Sequence, residues 1–167
     1  MTSDAPKSLD PRTYRDVLGH YPTGVCVITA KCPDQAHGMI VGSFTSVSLD
    51  PPLVAFFPSK ASTSWPRIEN TGRFCVNILG SDQLDICKKL SSPASKKFEN
   101  ISYRLSPGGA PIIDSVVAWI DCTIHSTIDA GDHFIVLGLV DDLKIERSDK
   151  SMIFFKGAYG EFSGAVA

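Results

Sequence analysis

Three consecutive residues, Gly131-Asp132-His133, have the types and order to position a ligand. Histidine changes charge near neutral pH, and a neighbouring carboxylate orients its ring. The run that follows, Phe134-Ile135-Val136-Leu137, reads as a strand. Its period of two puts His133 on one face with Ile135, Leu137 and Leu139. An imidazole that ends an apolar face suits the mouth of a pocket. There it could donate a hydrogen bond to a bound carbonyl or stack on a ring, with Asp132 orienting it. The plainer alternative is a histidine that only caps its hairpin. On these residues alone the plainer alternative weighs more.

Two hydroxyl-rich stretches come next. In GSFTSVSLDPPL, Ser43, Thr45, Ser46 and Ser48 interrupt an apolar strand region. Small hydroxyls and backbone N–H groups at a strand edge can meet the heteroatoms of a flat polar ring, and Gly42 permits close approach. The alternative is a strand whose polar face meets solvent. In SKASTS, residues 59–64, four hydroxyls and Lys60 precede a helix start at Trp65-Pro66. Free N–H groups and the positive end of a helix attract anions, and Lys60 adds a point charge. Alternatively, Ser62 or Ser64 does no more than cap that helix. Lys96-Lys97-Phe98 is a further basic pair beside an aromatic ring, or an ordinary solvated surface.

Several other chemistries are excluded by their missing patterns. The sequence has no GxxxxGK[ST] loop, no GxSxG elbow and no GxGxxG turn. His20, His37 and His125 are scattered without metal-ligand spacing. The five cysteines include no CxxC pair, and Cys26, Cys75 and Cys122 sit in apolar runs, so they read as buried thiols. Sixteen basic and eighteen acidic residues are interspersed, giving a net charge of −2, which argues against a nucleic-acid footprint. No apolar run reaches the roughly 20 residues of a spanning helix, and the N-terminus lacks an apolar signal core. A cytoplasmic protein is expected.

The elements that must position these residues follow from the pattern. A chain of 167 residues suits one domain, expected over 1–167 with its core at roughly 14–162. Asp10-Pro11 opens a helix that Gly19 ends. Strands are predicted over 25–30, 39–49, 53–57, 73–79, 115–128 and 133–145, and MIFFKGAYGEF closes the chain. Phe74, Val76 and Ile78 share a face of their strand. Ser81-Asp82 is the expected cap of a helix carrying Leu84, Cys87 and Leu90 as one stripe. Four to five residues are expected to join the last two long strands. Seven to nine strands, two or three short helices and loops too short for parallel crossovers predict an antiparallel barrel, closed or partly open.

Taken in order, PTGVCVITA, HGMIVGSFTSVSLDPPLVAF, RFCVNIL and GDHFIVLGLV resemble the flavin reductase family, over roughly Tyr14 to Phe162. These are the small reductase components of two-component flavin-dependent monooxygenases. The resemblance implies a mainly β fold: an antiparallel Greek-key split β-barrel with two to three short helices, usually a homodimer with flavin near the subunit interface. It implies FAD or FMN as flavin and NADH, with NADPH as the alternative, as donor. Ser43, Phe44, Thr45 and Ser46 stand in the family's ring-contacting stretch. Ser59, Lys60, Ser62, Thr63 and Ser64 stand where the ribityl phosphate is held. Phe74, Val76 and Asn77 fall in the strand lining the flavin, Lys97-Phe98 near its phosphate end, and Tyr159 in a C-terminal segment reaching the site. His133, oriented by Asp132, is expected at the nicotinamide or flavin edge. The cofactors carry the hydride chemistry, which accounts for the lack of an acid–base constellation. The partner implied is a separate oxygenase acting on an aromatic substrate and served by diffusing reduced flavin. A flavin-binding electron carrier or sensor without nicotinamide turnover is the alternative function. A barrel oxidase of a phosphorylated pyridoxal-type substrate is disfavoured by the GDH motif and by the lack of a second basic cluster.

Overall fold

The computed structural model describes residues 9–91 and 98–164. It opens with α1 (Pro11–Leu18), capped by Asp10, whose carboxylate accepts the Thr13 backbone N–H at 2.9 Å. Pro11 sits in the first turn, where a backbone donor is not needed. The helix buries none of its residues: Tyr14, Val17 and Leu18 are all more than half exposed.

The remaining elements are β1 (Thr23–Gly24), β2 (Cys26–Lys31), β3 (Ala36–Val41), β4 (Thr45–Leu49), β5 (Pro52–Phe56), α2 (Trp65–Glu69), β6 (Arg73–Ile78), α3 (Leu84–Ser91), β7 (Tyr103–Leu105), β8 (Pro111–Ile113), β9 (Ala118–Ala130), β10 (His133–Ile145), β11 (Met152–Phe155) and β12 (Ala158–Glu161). Seven strands pair in the order β3-β2-β6-β9-β10-β5-β4, and every neighbour is antiparallel. Strands β1, β11 and β12 form a small second sheet, and β7 pairs with β8. The described residues are thus mainly β with three helices, and β3 and β4 are the edge strands of the large sheet among them.

Apolar side chains pack on both faces of that sheet. One cluster includes Val27, Cys75, Leu79, Leu90, Ile112 and Trp119; the other includes Ile28, Phe56, Trp65, Phe74, Val76 and Val136. Strands β5 and β6 are three positions apart in the sheet, about 14 Å if it were flat. The Phe56 and Phe74 rings nevertheless meet edge to face at 5.1 Å, with Trp65 of α2 beside them at 5.6 Å from Phe56. The sheet therefore curls around this cluster. Gly138 on β10 allows it, because a Cβ there would overlap the Phe74 ring.

Three expectations change in detail. The described residues hold twelve strands, since short pairings such as β1 and β8 escape pattern reading and MIFFKGAYGEF is a hairpin. Its turn, Lys156-Gly157, takes positive φ at both residues, 49° and 79°, as a type I′ turn requires. Ser81-Asp82 does not cap α3: the Ser81 hydroxyl donates to Glu161 and Asp82 accepts from Arg147. Finally, β10 keeps its expected bounds but β9 starts later than expected and runs on to Ala130, so only Gly131-Asp132 joins them, with Gly131 at φ +65°. No helix among the described residues is long and apolar enough to cross a membrane.

Candidate functional site

Antiparallel register gathers one group of the expected residues at a single end of the sheet. Thr45 at the start of β4 pairs with Ala55 near the end of β5, and Phe56 pairs with Val136 near the start of β10. The chain leaving β5 then stays there. The Phe134 N–H donates to the Pro58 carbonyl, Ser59 bridges to His133, and the Lys60 N–H donates to the Asp132 carbonyl at 2.9 Å. Residues 43–46, 59–64 and 132–133 thus converge although distant in sequence.

A cleft of about 620 Å³ opens at this end, lined by Leu18, Tyr21, Pro22, Thr23, Gly24, Gly42, Ser43, Phe44, Thr45 and Phe57. Its size and largely apolar wall are ordinary for a cofactor site. The Ser43 hydroxyl accepts the Phe57 N–H at 3.0 Å, fixing one rim of the cleft to the other. Gly42 backs onto Thr23, whose hydroxyl a Cβ would touch at 2.8 Å, so the predicted close approach is real but is to protein. Ser46 lies on the exposed edge strand β4 and does not line the cleft. The Leu18–Gly24 wall and Phe57 escaped sequence reading. The PTG run was visible, but nothing local says it faces residue 43.

The loop over 59–64 mixes capping with exposed donors. The Ser62 hydroxyl accepts the N–H groups of Ser64 and Trp65 at 3.3 and 3.2 Å, so it caps α2, and Ser64 itself makes no capping bond. The Ser59 hydroxyl accepts the Ala61 N–H at 3.2 Å. Thr63 and Lys60 are exposed. The Lys60 ammonium pairs with Asp129 and lies 5.3 Å from the centre of the Phe134 ring.

His133 and Asp132 are bonded as expected: Nδ1 lies 2.7 Å from the Asp132 carboxylate. The His133 hydrogen bond holds the Asp132 carboxyl below its ordinary value of 3.8, so the carboxylate is ionised at neutral pH. An ionised carboxylate only accepts, which makes Nδ1–H the donor and leaves Nε2 pointing elsewhere. A lowered value stabilises the pair above pH 3.8, and that contribution disappears as pH falls through the lowered value. The face of the strand needs correcting, however. Phe134, Val136 and Val140 point into the curled core, so His133, Ile135 and Leu137 occupy the opposite, outward face. His133 borders an outer apolar surface and not an interior cavity.

Other expected contacts lie away from this end. Phe74, Val76 and Asn77 are each 0% exposed and cannot touch a ligand. Phe74 and Val76 are core, because their face of β6 is the inner one. Asn77 is a buried staple: its Nδ2 donates to Thr29 Oγ1 at 3.0 Å and to the Pro111 carbonyl at 3.2 Å, and its Oδ1 accepts the Ile113 N–H at 2.7 Å. Phe98 is also core, packed edge to face on Tyr103 at 5.7 Å, while Lys97 lies outside the described residues. Tyr159 is on β12 with its ring 5.2 Å from Phe154, and burial raises its hydroxyl pKa. It lines a neighbouring groove with Ile153, Phe155 and Phe162, which meets the first cleft at Pro22.

All five cysteines are buried and unpaired. Burial pushes the thiols of Cys26 and Cys122 up to about 12 and that of Cys87 to about 11, and it raises Cys32 and Cys75 as well. None is a nucleophile at neutral pH. Donor atoms of Cys32, Asp34 and His37 come within 4.8 Å of one another, a grouping not evident from spacing. Their capacity is used internally: Asp34 pairs with His37 and Arg67 at 3.4 Å each, and the Cys32 thiol donates to the Arg67 carbonyl.

A curled antiparallel sheet with a largely apolar cleft at one end, and Lys60 and His133 on the strand ends and loop nearby, has the shape of a cofactor-binding protein. The particular class follows from likeness to known proteins. Residues 18–163 match the flavin reductase like domain, and the chain belongs to that family. It is 55% identical over 157 residues to a flavin reductase of Pseudomonas putida, covering 93% of this chain and 92% of the relative. It is 45% identical over 153 residues to the reductase subunit of a flavin-dependent monooxygenase of Mycobacterium tuberculosis, covering 90% and 82% of the two chains. Its fold matches that of an NADH:FAD oxidoreductase of Streptomyces globisporus, in complex with NAD and FAD fragments, with a TM-score of 0.86 and 33% identity over 93% of this chain and 96% of the other.

Proposed function

We propose that the chain is an NADH-dependent flavin reductase that takes FAD or FMN and passes reduced flavin to a separate oxygenase acting on an aromatic substrate. The observation that carries this reading is the convergence of residues 43–46, 59–64 and 132–133 at the end of β4, β5 and β10, beside the 620 Å³ cleft. The cleft fits a flavin: Phe44 and Phe57 supply apolar wall, the edge backbone around Ser43 to Thr45 supplies donors, and Lys60 supplies positive charge. When bound, the flavin and nicotinamide supply the hydride chemistry themselves. The chain's part is positional. Reacting atoms must be held about 3–3.5 Å apart, and His133, braced by Asp132, forms the wall on the nicotinamide side.

The curled sheet suits a split barrel of Greek-key connectivity, and the outward apolar surface suits a homodimer. Helix α1 leaves Tyr14, Val17 and Leu18 uncovered, and Phe154, Phe155 and Phe162 add to the same account. The half-exposed His133 also lies on an outward face, where a second copy would complete its pocket. Five reduced thiols and no disulfide fit the cytoplasm.

The test mixes protein, flavin and NADH, and follows the nicotinamide absorbance band, with NADPH in a parallel cell. Flavin-dependent loss of NADH is expected. No loss with either nicotinamide, with flavin retained through gel filtration, would replace this reading with a flavin-binding electron carrier. Light scattering at micromolar protein reports the dimer directly.

A further inference from the structure

The cation offered to a flavin phosphate is not free in this protein. Lys60 is the charged residue of the 59–64 loop, and its ammonium is paired with the Asp129 carboxylate. The pair is held from both sides. Lys60 is anchored through its backbone N–H to the Asp132 carbonyl at 2.9 Å, and its ammonium lies 5.3 Å from the centre of the Phe134 ring. Asp129 stands directly across the hairpin from Phe134. The side chain of Asp129 is 76% exposed, so the contact it makes with Lys60 is made at the surface, where a ligand can reach it. With Asp132 ionised three residues further on, this end of the hairpin carries two carboxylates against one ammonium.

We propose that Asp129 is a positioning residue that sets flavin affinity by competing with the flavin phosphate for Lys60. This rests on the reading of Lys60 as the phosphate contact. The carboxylate already on the ammonium offsets part of its charge and holds one of its three donors, so an arriving phosphate is drawn less strongly and must share or displace that contact, and Asp132 repels it as it arrives. The same carboxylate recaptures Lys60 when the phosphate leaves. The competition lowers affinity for the phosphorylated flavin and eases its departure, as a protein that hands its flavin on requires. It acts on the charged tail, since neither Lys60 nor Asp129 lines the cleft.

The experiment measures dissociation constants for FMN and for riboflavin, which has the same ring and no phosphate. Flavin fluorescence quenching reads both, at low and at high salt. The proteins are wild type, Asp129→Asn, Asp129→Ser, Asp129→Glu, Lys60→Ala and the Lys60→Ala/Asp129→Asn double variant. Exposed charge pairs carry modest energies, so both neutral variants are expected to bind FMN about threefold to tenfold more tightly at low salt. Riboflavin binding stays within about twofold, and high salt shrinks the FMN gain as screening predicts. Asp129→Glu, which keeps the charge, stays near wild type, and the double variant shows no gain over Lys60→Ala. Unchanged or weaker FMN binding in both neutral variants overturns the proposal, as does an equal gain for riboflavin. If Lys60→Ala itself leaves FMN binding unchanged, the phosphate reading of Lys60 falls, and the Asp129 proposal falls with it. If Lys60→Ala weakens FMN and the neutral variants do nothing, only the Asp129 proposal falls.

Discussion

Replacing Asn77 separates a ligand contact from a structural staple. In the Asn77→Ala protein the Ile113 N–H loses the acceptor that now sits at 2.7 Å, inside a cluster where Ile112 and Ile113 are 1% exposed. A buried donor left unsatisfied costs about 1–3 kcal/mol. The Nδ2 donations to Thr29 Oγ1 and to the Pro111 and Val27 carbonyls also vanish, though Pro111 keeps the Thr29 hydroxyl as a partner. One net hydrogen bond adds about 1 kcal/mol, so the expected loss is about 3 kcal/mol. For a chain of this size each kcal/mol moves Tm by about 2–4 °C, which predicts a fall of about 6–12 °C. In urea, with a slope near 2 kcal/mol per molar, the midpoint should drop by about 1.5 M. Thermal melts by circular dichroism and urea titrations at fixed protein concentration measure both. Below the new melting range, KM for flavin should equal that of wild type, because Asn77 is 0% exposed. Wild-type stability together with a raised flavin KM would refute this reasoning and return Asn77 to the binding site.

Three further outcomes are expected. His133→Ala should lower NADH turnover in steady-state assays well beyond its effect on flavin Kd, and equal losses in both would make His133 structural. Gly138→Ala should cost about 1–3 kcal/mol in urea unfolding by driving a methyl group into the Phe74 ring, and an unchanged midpoint would mean the ring yields freely. A thiol reagent at mildly alkaline pH should find essentially no reactive cysteine in the native protein and all five after denaturation, because burial holds each thiol protonated. Rapid native labelling at Cys32 would show that the β2–β3 turn opens.

Local chemistry made the ends of α1 legible, because Asp10, Pro11 and Gly19 act through their own neighbours. The β9–β10 hairpin was legible for the same reason: its partners adjoin in sequence and Gly131 supplies the turn. Alternation also sorted His133, Ile135 and Leu137 onto one face. It could not say which face is inside, since Phe134 and Val136 are as apolar as Ile135 and Leu137. Asn77 shows a related limit. The family resemblance placed it in a flavin-lining strand, and its partners on β8 lie 34 and 36 positions away. The Lys60–Asp129 pair spans 69 positions and left no local trace. What sequence pattern alone withheld is the set of contacts that only the curled sheet creates.

The register of β10 also bears on when the site comes into being. The β9–β10 hairpin closes across two residues, whereas the two walls of the site, ending at Ser64 and beginning at Asp129, are 65 positions apart in the chain. Closing so long a loop costs more entropy than closing a hairpin, so distant pairings form later. During refolding or synthesis the hairpin, with His133 on it, precedes the docking of β5 against β10. Flavin binding is therefore a late reporter. A chain that has regained it has completed the longest-range pairing of the large sheet, and far-ultraviolet strand signal should recover before flavin fluorescence is quenched.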